Sequence, residues 1–194
     1  MKIAKELLSY AIIILIVVLI RAFIITPVRV DGPSMNPTFF NGDIVLLNKT
    51  KRNFDYQDVV VFKYGNEQLI KRIIGKPGDT VEIKDNKIYI NGNITKDYQD
   101  NVITKDFSLE DIGYDKIPDN YYFVLGDNRG NSTDSRIIGL INKKNIKGNI
   151  VFRVFPFSKF GTIKRWVLYS FFLIYDIMNK EKEGDNSGKT KKTI

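Results

Sequence analysis

The longest hydrophobic run of the chain lies at its start. From Leu7 to Ile25 the 19 residues carry one charge, Arg21, and Ala11 to Ile20 is unbroken apolar sequence. About 20 apolar residues at 1.5 Å each cross the hydrocarbon core of a bilayer, and the run lacks the polar face of an amphipathic helix. A transmembrane helix over 7–25 is therefore predicted, after a short cytoplasmic N-terminus over 1–6. Lys2 and Lys5 precede the run and favour that orientation, while Arg21 can snorkel to the far interface. A cleaved signal peptide is the alternative, but Thr26-Pro27-Val28-Arg29-Val30 offers no small-x-small junction. A second apolar stretch, Trp166 to Met178, has 13 residues and contains Asp176. It suits an interfacial segment, and a second span from about Ile163 is the other reading. The charged, Gly-containing tail over 179–194 has the composition of a disordered segment.

Between these stretches the pattern shortens to β-prone runs broken by turn residues. Strands are predicted over Asp43–Leu47, Val59–Tyr64, Leu69–Ile74, Val81–Ile83, Lys87–Ile90, Tyr121–Leu125 and Ile150–Phe155. Asp85-Asn86 reads as the tight turn of a hairpin. No helical period of ten or more residues appears there, so the fold class is mainly β, antiparallel, behind one membrane helix. Residues 97–118 are polar and Asp-rich without clean alternation, and read as an inserted, partly looped region.

Composition then narrows the chemistry. The 194 residues suffice for one domain, or a core with a small insertion. There is no Cys and no His, which excludes disulfides, a thiol nucleophile, a Cys or His metal site and a Ser-His-Asp triad. Acid–base work falls to Lys, Asp, Glu or Tyr. Lys+Arg number 30 against 22 Asp+Glu, a net charge of +8. The lysines are scattered among acids, as in Lys84-Asp85 and Lys105-Asp106, which is a solvated surface rather than a nucleic-acid footprint. No nucleic-acid partner is expected.

Three clusters carry candidate chemistry. In Gly32-Pro33-Ser34-Met35-Asn36-Pro37-Thr38 two prolines stiffen a loop that presents Ser34; an ordinary turn around a Ser reads the same way. In Leu69-Ile70-Lys71-Arg72-Ile73-Ile74-Gly75 alternation puts Lys71 and Arg72 on opposite faces of a strand, so one cation sits among aliphatic neighbours. A buried Lys71 loses pKa and becomes a competent base; an edge strand with Lys71 outward is the other reading. The segment Gly126 to Arg136 is a dense polar loop after an apolar strand. It must satisfy its own hydrogen bonds if it packs near a core, or else it is a metal- or sugar-binding loop or a solvated turn.

Together and in this order the clusters resemble the type I signal peptidase family of Gram-positive bacteria. The matching pieces are Gly-x-Ser-Met-x-Pro-Thr at 32–38, Gly-Asp-Ile-Val at 42–45, Lys-Arg-Ile-Ile-Gly-x-Pro-Gly-Asp at 71–79 and Gly-Asp-Asn-Arg-x-Asn-Ser-x-Asp-Ser-Arg at 126–136. The resemblance implies an antiparallel β catalytic domain over 26–76 and 121–161, a smaller β insertion over 77–120, and an apolar C-terminal segment over 162–178. It implies a Ser-Lys dyad with Ser34 as nucleophile and Lys71 as general base, whose pKa burial against Ile70 and Ile73 lowers by roughly 2–4 units. Ser132 would hydrogen-bond the Lys71 amine and orient it. Asp134, Arg136, Asp127 and Arg129 would brace the loop. The Ser34 backbone N–H would serve the oxyanion hole; the position of a second donor in some members is Gly32 here, leaving another N–H or a water for that role. Met35 and Ile70 would wall the pockets for small residues of the signal. No metal or cofactor is implied. The expected partners are secretory precursors with signal peptides and the lipid bilayer. The expected location is the cell membrane, single-pass, with the catalytic domain extracellular. Rival readings are a self-cleaving repressor, which would need a DNA-binding unit where this chain has a span, a non-enzymatic β module, and an inactive relative with the same fold.

Overall fold

The computed structural model describes residues 2–95 and 103–162. The predicted C-terminal apolar segment and charged tail lie outside the described residues, as does the stretch 96–102 of the polar insertion. Helix α1 runs Lys2–Phe23. Its Lys5–Phe23 stretch has a mean hydropathy of 2.4, and none of it is buried in the protein, so it is not a core helix. It ends two residues before the predicted boundary because Ile25 is already paired with Asn48 in a sheet.

That sheet has eight strands. In chain order they are β1 (Ile25–Arg29), β2 (Ile44–Asn48), β3 (Val59–Tyr64), β4 (Glu67–Gly75), β9 (Tyr121–Leu125), β10 (Ile141–Asn142), β11 (Ile146–Phe155) and β12 (Gly161–Thr162). They are ordered β1-β2-β11-β3-β4-β9-β10, with β12 on β11, and every pairing is antiparallel. The chain between β4 and β9 builds a second sheet from β5 (Val81–Lys84), β6 (Lys87–Ile90), β7 (Asn93–Ile94) and β8 (Phe107–Ser108), ordered β7-β6-β5-β8. Asp85 and Asn86 both take positive φ, 51° and 62°, and close the β5–β6 hairpin in a two-residue turn.

The two sheets share one core. Val81, Ile83, Ile88, Phe107, Leu109 and Ile117 pack on Ile74, Phe123 and Leu125 of the large sheet. Gly75 marks their closest approach: a Cβ there would stand 2.5 Å from Ile117 and 2.7 Å from Val81. The described parts of this insertion, 77–95 and 103–120, are thus packed onto the sheet that carries the polar loop.

The junction between α1 and the sheet has no linker. The Lys49 N–H donates to the Ile24 carbonyl at 2.9 Å. Its ammonium donates to the carbonyls of Ala22 at 3.1 Å and Arg21 at 3.4 Å. The Thr26 hydroxyl donates to the same Arg21 carbonyl at 2.9 Å.

Candidate active site

Strand β4 is internal, hydrogen-bonded to β3 and β9, so the outward lysine of an edge strand is excluded. Lys71 and Arg72 are both buried at 2% exposure. Two adjacent cations inside a sheet demand two different solutions, and the structure supplies them.

Arg72 is neutralised. Its guanidinium makes a two-bond pair with Asp127, itself fully buried, and also donates to the Gln57 carbonyl at 3.0 Å. The Thr38 hydroxyl donates to Asp127 and accepts from Arg72 Nη2 at 3.3 Å. Strand β4, the Ser34 loop and the polar loop are therefore joined at one buried ion pair. Lys71 has no such direct partner among the described residues. Its Nζ donates to the Ile70 carbonyl and to Ser34 Oγ, each at 2.9 Å. Burial drives its pKa down from 10.5 to about 8, against the opposing pull of the Asp134 and Asp127 carboxylates.

The Ser34 loop is fixed from both sides. Its base is closed by Val30 N–H to Asp43 O and Gly42 N–H to Val30 O. Phe39 and Met35 plug the core beneath it with Val45 and Val59. On the other side the Asn128 N–H donates to the Ser34 carbonyl at 3.0 Å, and the Asn128 side chain to the Pro33 carbonyl at 3.3 Å. The Ser34 N–H donates to no group among the described residues. The Gly32 N–H is taken by Asn41 Oδ1 at 3.2 Å.

The polar loop is satisfied largely from within. Asp134 accepts from the Gly126 N–H at 3.0 Å, caps the short helix α2 (Ser135–Ile138), and pairs in two bonds with Arg136 at 2.8 Å each. Arg136 also donates to the Arg129 carbonyl at 2.8 Å, and Arg129 to the Gly126 carbonyl at 3.0 Å and Thr104 Oγ1 at 3.3 Å. The Ser135 hydroxyl accepts from the Val124 N–H at 2.9 Å, which ties α2 to β9. Gly126 is the pivot. A Cβ there would lie 2.1 Å from Ser132 Oγ and 2.7 Å from the Ser34 carbonyl, so only glycine lets the two loops touch.

One expected contact is absent. Ser132 Oγ is buried without a hydrogen-bond partner among the described residues. It rests in the notch above Gly126 rather than on the Lys71 amine, whose donors go to Ser34 and Ile70. Sequence reading also passed over the individual roles of Arg72, Thr38, Asn128 and Ser135. A buried Asp127 in a polar loop calls for a cation, and Arg72 stands in the same motif as Lys71; that was the available signal.

Beside Ser34 and Lys71 lies a cleft of about 240 Å³, walled by Val28, Val30, Met35, Val61 and Ile70. A larger groove of about 510 Å³, lined by Arg52, Asp119, Lys143 and Lys144, contains neither Ser34 nor Lys71. Ser34 thus stands against a buried, pKa-lowered lysine at the edge of a cleft whose lining mixes its apolar walls with Arg29, Asp31 and Gln68.

Comparison with known proteins shows the family. The sequence model of the family described as "Signal peptidase, peptidase S26" matches residues 3–155, and the chain belongs to this family. It is 42% identical over 173 residues to signal peptidase I S of Bacillus subtilis (strain 168), covering 80% of this chain and 92% of the relative. It is 38% identical over 165 residues, 81% of this chain and 95% of the relative, to a Staphylococcus aureus (strain N315) protein named inactive signal peptidase IA. Among solved structures, a signal peptidase I from Enterococcus faecalis V583 is 34% identical with a TM-score of 0.47, covering 50% of this chain and 96% of that one.

Proposed function

We propose that the protein is a membrane-anchored serine endopeptidase that removes signal peptides from secretory precursors, with Ser34 as nucleophile and Lys71 as general base. The observation that carries this reading is the 2.9 Å contact between Ser34 Oγ and a lysine amine buried enough to lose its proton near pH 8. Neutral Lys71 takes the Ser34 proton as Oγ attacks the scissile carbonyl. The developing oxyanion faces the unengaged Ser34 N–H. The Lys71 ammonium then gives its proton to the departing amine, and the acyl-enzyme forms. A water deprotonated by Lys71 releases the signal peptide and regenerates Ser34. The bond of Nζ to the Ile70 carbonyl keeps the amine aimed through both steps. Asp127, Arg129, Asp134 and Arg136 position the loops and do not react.

The cleft fits small side chains, with Met35 and Ile70 as walls. Among the described residues strand β1 is an edge of the large sheet and borders the same cleft, so a precursor can dock as an added strand. Lys2 and Lys5 keep the N-terminus cytoplasmic, and α1 carries the site to the outer face, where precursor junctions emerge.

The test is a precursor with a small-x-small junction, incubated with the full chain in lipid and cut-mapped by mass. A single cut at the junction, lost in Ser34→Ala and in Lys71→Ala, supports the reading. Cutting that survives Ser34→Ala removes the nucleophile. A wild type that cuts nothing beside an active control enzyme places the chain with the relatives named inactive.

A further inference from the structure

The last carbonyls of a helix have no partner within it. At a bilayer surface, where water thins out, such groups are costly to leave open, and a tethered domain commonly follows through a flexible linker that leaves its height free. Here α1 ends at Phe23 and β1 begins at Ile25. Two side chains rooted in the sheet take up the open carbonyls: the Lys49 ammonium serves Ala22 and Arg21, and the Thr26 hydroxyl serves Arg21 again. A cation at a helix C-terminus is also favoured by the helix dipole. Lys49 is the first residue past β2, directly after Asn48, which pairs with Ile25, so its backbone sits at the end of the sheet while its side chain serves the helix end. Its own N–H closes the junction on the Ile24 carbonyl.

We infer that Lys49 is a positioning residue that locks the membrane helix to the β1–β2 edge and so fixes the height of Ser34 above the bilayer. The inference rests on the peptidase reading above and adds a selection rule to it. Ser34 is eight residues beyond Thr26, and the β1 part of that path is hydrogen-bonded, so the site stands at most roughly 28 Å from the clamp. The substrates favoured are membrane-inserted precursors whose junction emerges at that fixed reach, not any peptide carrying small residues.

The chain has no cysteine, so a single reporter thiol is unambiguous. Gly130 is exposed with open space around a Cβ, and Gly130→Cys carrying a fluorophore reads the distance to labelled zwitterionic phospholipid in vesicles. The full chain is compared with Lys49→Met, Lys49→Arg and a four-residue Gly/Ser insertion between Ile24 and Ile25. Each is assayed on a vesicle-inserted precursor and on a short soluble peptide spanning the same junction. In Lys49→Met and in the insertion variant the reporter distance spreads and precursor processing falls about fivefold or more, as expected when effective concentration is diluted. Peptide hydrolysis stays within about twofold, and Lys49→Arg restores both readouts. Unchanged distance and processing in Lys49→Met overturns the clamp, and so does an equal loss on peptide and precursor. A wild type inactive on both substrates defeats the peptidase reading alone, because the distance measurement still decides the clamp.

Discussion

Arg72 grips Asp127 through two bonds, Nε to Oδ1 at 2.8 Å and Nη2 to Oδ2 at 2.5 Å, with both side chains out of water. The pair joins the strand of Lys71 to the polar loop, and Thr38 adds the Ser34 loop. Removing one partner of a buried pair strands the other charge, at a cost of about 3–5 kcal/mol. Asp127→Ala and Arg72→Met are each expected to lose that much in urea unfolding. The double variant Arg72→Met/Asp127→Leu regains most of it, while activity stays low because the loops are no longer tied.

With Lys71 as the proposed base, its pKa of about 8 is expected to set the pH profile. Protonated Lys71 cannot accept the Ser34 proton, so kcat/KM rises about tenfold per pH unit below 8 and levels above it. Asp134 pulls this pKa upward, so Asp134→Asn moves the rising limb to lower pH. A flat profile between pH 6 and 9 excludes Lys71 as the base.

The same lowered pKa is a stability cost. Below pH 8 both folded and unfolded chains hold the Lys71 proton, and the fold bears the whole burden of burying it. Between about 8 and 10.5 only the unfolded chain holds it, so wild-type stability climbs with pH across that window. The gap corresponds to about 3 kcal/mol. Lys71→Met is expected to be inactive and more stable at pH 7 by up to about 3 kcal/mol, with the advantage shrinking toward pH 10. Melts at the two pH values measure it, and a less stable Met variant refutes the burial account.

Gly126→Ala places a methyl group against Ser132 and the Ser34 carbonyl. Such overpacking costs about 1–3 kcal/mol, and displacing Ser34, the proposed nucleophile, is expected to cost on the order of 100-fold in rate. Adding Ser132→Gly removes both Ser132 contacts, Oγ and Cβ, but not the Ser34 carbonyl, so stability recovers further than kcat. Equal recovery of both would contradict the geometry.

The β-prone runs bounded by turn residues were legible in sequence almost to the residue. Val59–Tyr64, Lys87–Ile90 and Tyr121–Leu125 fall where the pattern placed them, and the Asp85-Asn86 turn follows from local chemistry alone. Strand β1 was not legible. Ile25 continues an apolar run, and only its pairing with Asn48 converts helix to strand. The two-residue strands β7, β8, β10 and β12 have too little sequence for any period. At the site, Ser34 and Lys71 were named because their motifs, in this order, resemble the signal peptidase family; each motif alone left another reading open, and their contact across 37 positions is a product of the sheet. Arg72 was overshadowed by its neighbour, since alternation says that one cation is buried but not that Asp127 waits for it. The Ser132 orientation depended on a rotamer, which no spacing rule fixes.

The core shared by the two sheets has a consequence for how this chain can change. Phe123 and Leu125 lie on the strand that delivers Gly126 and Asp127, and their far side is roofed by Ile83, Ile88 and Phe107. A descendant that discarded the small sheet would bare an aromatic underside directly beneath its polar loop and become sticky before it became smaller. Pruning there has to proceed in step with repainting Phe123 and Leu125, so the appendage is held in place by the surface it hides.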